Sequence, residues 1–132
     1  MTLLDTNILI YYLKGDPAIV ARIHNASRGE LAIPAIVVYE LEYGTLRANL
    51  ATRRRRELEA GLVHIQHVPF DSAAAMAAAR IRVELEKQGA TIGPLDILIA
   101  GTAVSRGATL VTNNSAEFSR VPGLRVLDWK SE

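Results

Sequence analysis

The sequence predicts an α/β domain built on a mostly parallel sheet with helices on both faces. Short apolar runs bounded by turn residues recur along the chain, and helix-length segments of ten or more residues separate them. The length of 132 residues, with 49% hydrophobic and 22% charged content, is enough for one buried core without covalent staples. No repeat, low-complexity stretch or composition shift divides the chain, so residues 1–132 are read as a single domain.

Thr2–Leu4 is a short apolar strand leading into a helical pattern over Thr6–Leu13, which Gly15 ends. Pro17 stands where a second helix starts, since its fixed φ suits a first turn, and that helix reaches about Ala26. Leu31–Ile33 is strand-like and stops at Pro34. Ile36, Val37, Tyr39, Leu41 and Tyr43 then open a helix to about Leu50, despite its β-branched start. Arg53–Leu62 suits a charged helix and Ile65–Pro69 a strand; Asp71 is the N-cap of a long Ala-rich helix to Gln88, closed by Gly89. A helix over Leu95–Arg106, a buried strand over Ala108–Thr112 and a last short strand over Arg125–Leu127 complete the pattern. Crossovers in such sheets are right-handed, and ligands gather beyond the carboxyl ends of the strands. That edge is where chemistry is expected.

The composition removes several function classes. The absence of Cys excludes disulfides, thiolate metal sites and cysteine nucleophiles. No GxxxxGK[ST] loop, GxGxxG turn or GxSxG elbow occurs, which leaves P-loop, dinucleotide and α/β-hydrolase chemistry unsupported. The opening MTLLDTNILIYYLKGD carries Asp5 inside its first apolar run and does not read as a secretory signal. No run approaches the roughly 18 apolar residues of a membrane span, so a cytoplasmic protein without membrane contact is expected. The net charge of +1 neither demands nor forbids an anionic partner. Twelve of the fifteen cations are Arg, whose planar fork suits phosphate, although high genomic GC produces the same bias.

Three acids stand out because each is embedded in apolar sequence near the end of an element. Asp5 follows Leu3 and Leu4 at the carboxyl end of the first strand, where N-capping the next helix is an equally good use of a carboxylate. Glu40 lies within VVYELEYG and needs a partner, a metal or water unless it sits on a surface turn. Asp96, in GPLDILIAGTA, falls in the first turn of an apolar helix, where the macrodipole favours an anion in any case. Their conjunction favours function, because an α/β sheet brings all three to one edge. Converging carboxylates repel, and an oxygen-only ligand set with no Cys and no well-spaced His suits Mg²⁺ or Mn²⁺ rather than zinc. Metal-assisted phosphodiester hydrolysis is the chemistry such a set performs.

The segments LLDTNILIYYLKG, YELEYG, GPLDILIAGTA and LVTNNSAEFSRVPGLRVLDW, taken in order, resemble the PIN-domain family, and within it the VapC ribonuclease toxins of type II VapBC toxin-antitoxin modules. The resemblance spans essentially the whole chain. It implies a PIN fold with a central parallel sheet of four or five strands, a Mg²⁺-dependent ribonuclease site with Mn²⁺ as a substitute, a homodimer and a VapB-like antitoxin. DNA would be reached only through that antitoxin. Asp5, Glu40 and Asp96 fall on the family's acidic positions, with Asp5 and Asp96 as metal ligands and Thr6, Asn7 and Thr112 as polar support. The TNN…EF…GL…DW ending resembles toxins that cut initiator tRNA in the anticodon loop, which makes that RNA the leading substrate expectation. The chain departs from a common family pattern in carrying Asn114 two residues after Thr112, where many members have Asp. Glu117 then either supplies the fourth catalytic carboxylate through its longer reach or merely caps a turn, and Asn114 either lends a neutral oxygen or orients its neighbours.

Other signals carry less. Arg53 and Arg54, within the run Arg53–Arg56, are candidates for tracking an RNA backbone, but a solvated helix face balanced by Glu57 and Glu59 explains them as well. Of Arg80 and Arg82, two residues apart, at most one faces the site, and Arg82 is retained as a candidate RNA contact. His24, His64 and His67 are read as polar surface, the last two on opposite faces of a strand. The tyrosines and Trp129 are read as core or dimer contacts rather than base-stacking platforms. The sequence therefore points to a metal-dependent endoribonuclease toxin. A FitB-like protein working within a DNA-bound regulatory complex, and a non-catalytic PIN interaction module, are the alternatives.

Overall fold

In a computed structural model, residues 1–48 and 52–131 are described, apart from the side chains of residues 52, 54, 55, 58 and 59. The elements run β1 (Thr2–Leu4), α1 (Thr6–Leu13), α2 (Pro17–Asn25), β2 (Leu31–Pro34), α3 (Ala35–Ala48), α4 (Thr52–Leu62), β3 (Gln66–Val68), α5 (Ser72–Lys87), α6 (Pro94–Ser105), β4 (Thr109–Val111), α7 (Ser115–Phe118) and β5 (Arg125–Leu127). The strands form one parallel sheet in the order β3-β2-β1-β4-β5. The register sets Leu3 beside Ala32 on one side and Leu110 on the other. From β1 the chain builds outward through β2 and β3, then returns to β1's free side with β4 and β5. The order reverses between β1 and β4, and the carboxyl edge at such a reversal is where ligands gather in sheets of this kind.

The three central strands, β2, β1 and β4, are covered on both faces. Leu3, Leu4, Ile33, Leu110 and Val111 are fully buried or nearly so, packed with Ile8, Leu9, Val37, Leu85, Ile99 and Phe118 from the helices. Burial on both faces gives these strands continuous apolar runs rather than alternation, whereas the edge strands β3 and β5 are partly exposed. Caps fix the helix starts. Asp16 accepts from the amides of Ala18 (3.1 Å) and Ile19 (3.3 Å), with Pro17 in the first turn of α2. Asp71 accepts from Ala74 N (2.9 Å), and its second oxygen meets Arg106 at 3.2 Å, tying the start of α5 to the end of α6.

The crossing of α5 and α6 is the closest helix contact. A Cβ on Gly101 would stand 2.7 Å from Ala78 Cβ and 2.8 Å from the Ala74 carbonyl oxygen, so only glycine fits against the alanine face of α5. Gly89 and Gly107, at φ 64° and 60°, follow α5 and α6 in the left-handed region that favours glycine after a helix.

Several expectations are adjusted. The strand expected over 65–69 is confined to 66–68, so His64 lies in the preceding turn and not on a strand face opposite His67. The four-residue α7 was not foreseen. Tyr39 and Tyr43 are not in the core: they are 58% and 53% exposed on α3, their rings stacked 6.5 Å apart. Trp129 is buried, with the Arg22 guanidinium 5.5 Å from its ring centre. The expected helix end near Leu50 lies outside the described residues. No helix among the described residues is long and apolar enough to cross a membrane.

Candidate active site

β1 delivers Asp5 to the carboxyl edge at the reversal point, and β4 delivers Thr112 beside it. Asp5 N donates to Val111 O at 3.0 Å, continuing the β1–β4 pairing to the point where the side chains take over. The Asp5 carboxylate is buried and accepts one hydrogen bond at each oxygen, from Thr6 N at Oδ1 (2.8 Å) and from the Thr112 hydroxyl at Oδ2 (2.7 Å). Asp5 is thus both the N-cap of α1 and a site residue. The two readings of its sequence context describe one geometry, because each carboxylate oxygen keeps a further lone pair.

The Thr112 hydroxyl has no freedom to turn away. It accepts from Asn114 N (2.9 Å) and from Asn7 Nδ2 (3.4 Å), so its only proton goes to Asp5. Asn7 is oriented in turn by Asn113 N, which donates to its Oδ1 at 3.1 Å. The other acids join from neighbouring elements. Glu40, half-buried on α3, accepts from the Thr6 hydroxyl at 2.8 Å. Glu117, in α7, accepts from Asn114 Nδ2 at 2.8 Å. Asp96 sits in the first turn of α6, folded over Gly93, where a Cβ would lie 3.4 Å from its Oδ2.

The electrostatics report convergence. Burial, followed by the charges of Asp5, Glu40 and Glu117, raises the Asp96 carboxyl to about 6. Asp5 is also raised, mainly by burial, while its bonds from Thr112 and Thr6 favour the anion. Four carboxylates from four elements therefore share one field, which protonation or a bound cation relieves. Among the described residues no three His, Asp or Glu side chains close tightly enough to enclose a bare ion. The donor set instead suits a hard cation that keeps several waters and binds through one or two carboxylates, as Mg²⁺ does. Hydrogen bonds hold three of the four carboxylates, those of Asp5, Glu40 and Glu117, in place before any ligand arrives.

The candidate RNA-contacting arginines stand apart from the acids' hydrogen-bond network. Arg53 is exposed on α4 and pairs with Glu57 at 3.3 Å. Arg82 is exposed on α5, pairs with Glu86 at 3.5 Å and rims a cavity of about 580 Å³ between α5 and α6. The Arg54 side chain lies outside the described residues. Glu42 is exposed on α3. Sequence reasoning missed Tyr11, Asn113 and Asp128, which meet at the rim: Tyr11 OH donates to Asn113 Oδ1 (3.1 Å), and Asn113 Nδ2 donates to Asp128 (3.3 and 3.4 Å). Nothing in their spacing marks this meeting, which joins α1 to the segments after β4 and β5.

Fold and site together define a class: a parallel α/β sheet whose reversal point carries an acid cluster suited to a hydrated divalent cation and a phosphate. The chain belongs to the PIN-domain family, whose description, "PIN domain", matches residues 2–124. It is 42% identical over 127 residues to the "tRNA(fMet)-specific endonuclease VapC" of Shigella flexneri, covering 96% of each chain. The crystal structure of DNA-bound VapBC from Salmonella typhimurium contains a chain that superposes with a TM-score of 0.89 at 37% identity, over 97% of each chain. FitAcB from Neisseria gonorrhoeae matches over the full length of both chains with a TM-score of 0.81 and 27% identity.

Proposed function

We propose that the chain is the toxin of a VapBC-type toxin-antitoxin module, an endoribonuclease that hydrolyses RNA with the help of a divalent cation. The observation that carries this reading is the buried Asp5, aimed by Thr112 and Thr6 into a field strong enough to raise Asp96 to about 6. Residues 1–132 act as one PIN domain. Asp5 and Asp96 hold the cation, which is Mg²⁺ with Mn²⁺ as a substitute. When bound, such an ion offsets charge developing on a phosphate and lowers the pKa of water.

The chain's own residues supply placement. Thr112 and Thr6 fix the Asp5 carboxylate, Thr6 ties Glu40 to the same site, and Asn114 holds Glu117 toward it. Water adds at phosphorus while the bond to the departing ribose oxygen breaks, and that oxygen takes up a proton. Initiator tRNA is the substrate proposed, in keeping with the tRNA(fMet) specificity named for the Shigella flexneri relative. A VapB-like antitoxin is the partner, and DNA is met only through it, as the DNA-bound VapBC relative suggests. A homodimer working in the cytoplasm completes the proposal. The 42% identity to the Shigella flexneri VapC exceeds the 27% to FitAcB, which favours RNA cleavage over a purely regulatory role. Sequencing of RNA ends after brief induction in cells tests it. Accumulated ends at one anticodon-loop position of initiator tRNA are expected, and an RNA pool identical to that of uninduced cells would refute it.

A further inference from the structure

The hydrogen bonds at the carboxyl edge continue past the acids, and each link can be counted. Asn113 is held at three groups: its backbone N–H goes to Asn7, its side-chain oxygen accepts from Tyr11 OH, and its side-chain NH₂ spans both oxygens of Asp128. Asp128 is itself held in place. Its oxygens accept from Lys130 N (2.9 Å) and Ser131 Oγ (3.1 Å), and the next residue, Trp129, is buried under Arg22. Tyr11 is steadied from the same side by the Lys130 ammonium, 4.6 Å from its ring centre. Asp128 is absent from the charges that raise Asp96, so it stands outside the acid field.

We propose that Asp128 is a positioning residue for the acid site: through Asn113 it fixes the loop after β4, and with it the Asn7 amide and Thr112 hydroxyl that aim Asp5. The logic is one of donor direction. If Asn113 turns, Asn7 loses the donor that fixes its amide, Thr112 loses one of its two donors, and the Thr112 proton is no longer committed to Asp5. Partners one shell removed from a ligand commonly affect metal affinity or activity by about 10- to 100-fold. The segment after β5 thereby becomes part of the site's support. This rests on the proposed cation-dependent reading of the acids.

The test uses the full chain, with Mn²⁺ as the probe for binding and initiator tRNA as the substrate. Asp128→Ala is expected to weaken Mn²⁺ binding, read by electron paramagnetic resonance, by about tenfold and to lower kcat in proportion, leaving KM for RNA unchanged. Tyr11→Phe, which removes one hydroxyl, is expected to shift both in the same direction by less. The swapped pair Asn113→Asp with Asp128→Asn is expected to recover most of the loss. In it the new amide at position 128 donates to the new carboxylate at position 113, which still accepts from Tyr11. Wild-type Mn²⁺ affinity and kcat in Asp128→Ala would overturn the proposal, as would a swapped pair no better than Asp128→Ala. Should Asp128→Ala fail to fold, Tyr11→Phe and the swapped pair decide: unchanged Mn²⁺ affinity in Tyr11→Phe, or no Mn²⁺ affinity in a folded swapped pair, overturns it. Absence of Mn²⁺ binding by the wild type would remove the cation reading itself, an outcome distinct from wild-type binding that the variants do not alter.

Discussion

At the residue scale, the site trades stability for function, and Asp96 shows the trade most clearly. Its folded carboxyl titrates at about 6, above the ordinary value, because burial and three neighbouring carboxylates disfavour the anion. Between about pH 4 and pH 6 the folded chain therefore holds a proton that the unfolded chain has released, and stability falls as pH rises through that window. Asp16 acts in the opposite sense, since a hydrogen bond from Lys130 holds it below the ordinary value. The difference between wild type and Asp96→Asn isolates the site's share. Thermal unfolding in EDTA should show Asp96→Asn more stable than wild type at pH 7, with the gap closing toward pH 4, and Mn²⁺ should stabilise the wild type more than the variant. A gap independent of pH would contradict this assignment.

Asn114 and Glu117 give a second test at this scale. The sequence leaves them as separate ways of replacing a missing aspartate, whereas the structure joins them in one hydrogen bond of 2.8 Å. Glu117→Gln and Asn114→Ala should both raise the Mg²⁺ concentration needed for half-maximal cleavage, the first by removing charge and the second by releasing the carboxylate. A Mg²⁺ titration in which Glu117→Gln matches wild type would place Glu117 outside the site. Asp5, Glu40 and Asp96 stand out in the sequence only by their conjunction, since each alone has an equally good structural use, and the fold places them in one electrostatic field. Tyr11, Asn113 and Asp128 do not stand out, because their meaning lies in contacts that join separate elements, Tyr11 to Asn113 across 102 residues and Asn113 to Asp128 across 15, which spacing alone does not encode.

At the element scale, strands and helices were readable from apolar runs and punctuation: Pro17, Asp71 and Gly89 mark helix ends in the sequence as they do in the fold. The four-residue α7 was hidden because it is too short for a periodic signal. The exposure of Tyr39 and Tyr43 was also hidden, since a helix with apolar residues on several faces does not declare which face is inward. The tight fit of α5 on α6 positions Asp96, so glycine at 101 has functional weight. Gly101→Ala should destabilise by about 1–3 kcal/mol through overpacking and lower activity with it. Gly44→Ala on α3, where an added methyl meets nothing within 4 Å, should instead stabilise by about 0.5–1 kcal/mol. Chemical denaturation of the two variants checks both signs.

At the scale of the whole molecule, sheet order decides where chemistry happens. Only at the reversal between β1 and β4 do the ends of two central strands place Asp5 and Thr112 within 2.7 Å, while α3, α6 and α7 bring their acids over the same edge. An acid cluster so assembled attracts cations of any kind, including an Arg or Lys from a partner's flexible tail. Co-expression with the antitoxin should therefore give a stable complex without nuclease activity. The central claim, that these acids bind a divalent cation and thereby cleave RNA, is tested most directly by incubating the purified chain with initiator tRNA in EDTA, then with Mg²⁺ restored, alongside Asp96→Asn. Cleavage by the wild type only when Mg²⁺ is present, and none by Asp96→Asn, is the predicted result; cleavage that persists in EDTA, or in the variant, would contradict it.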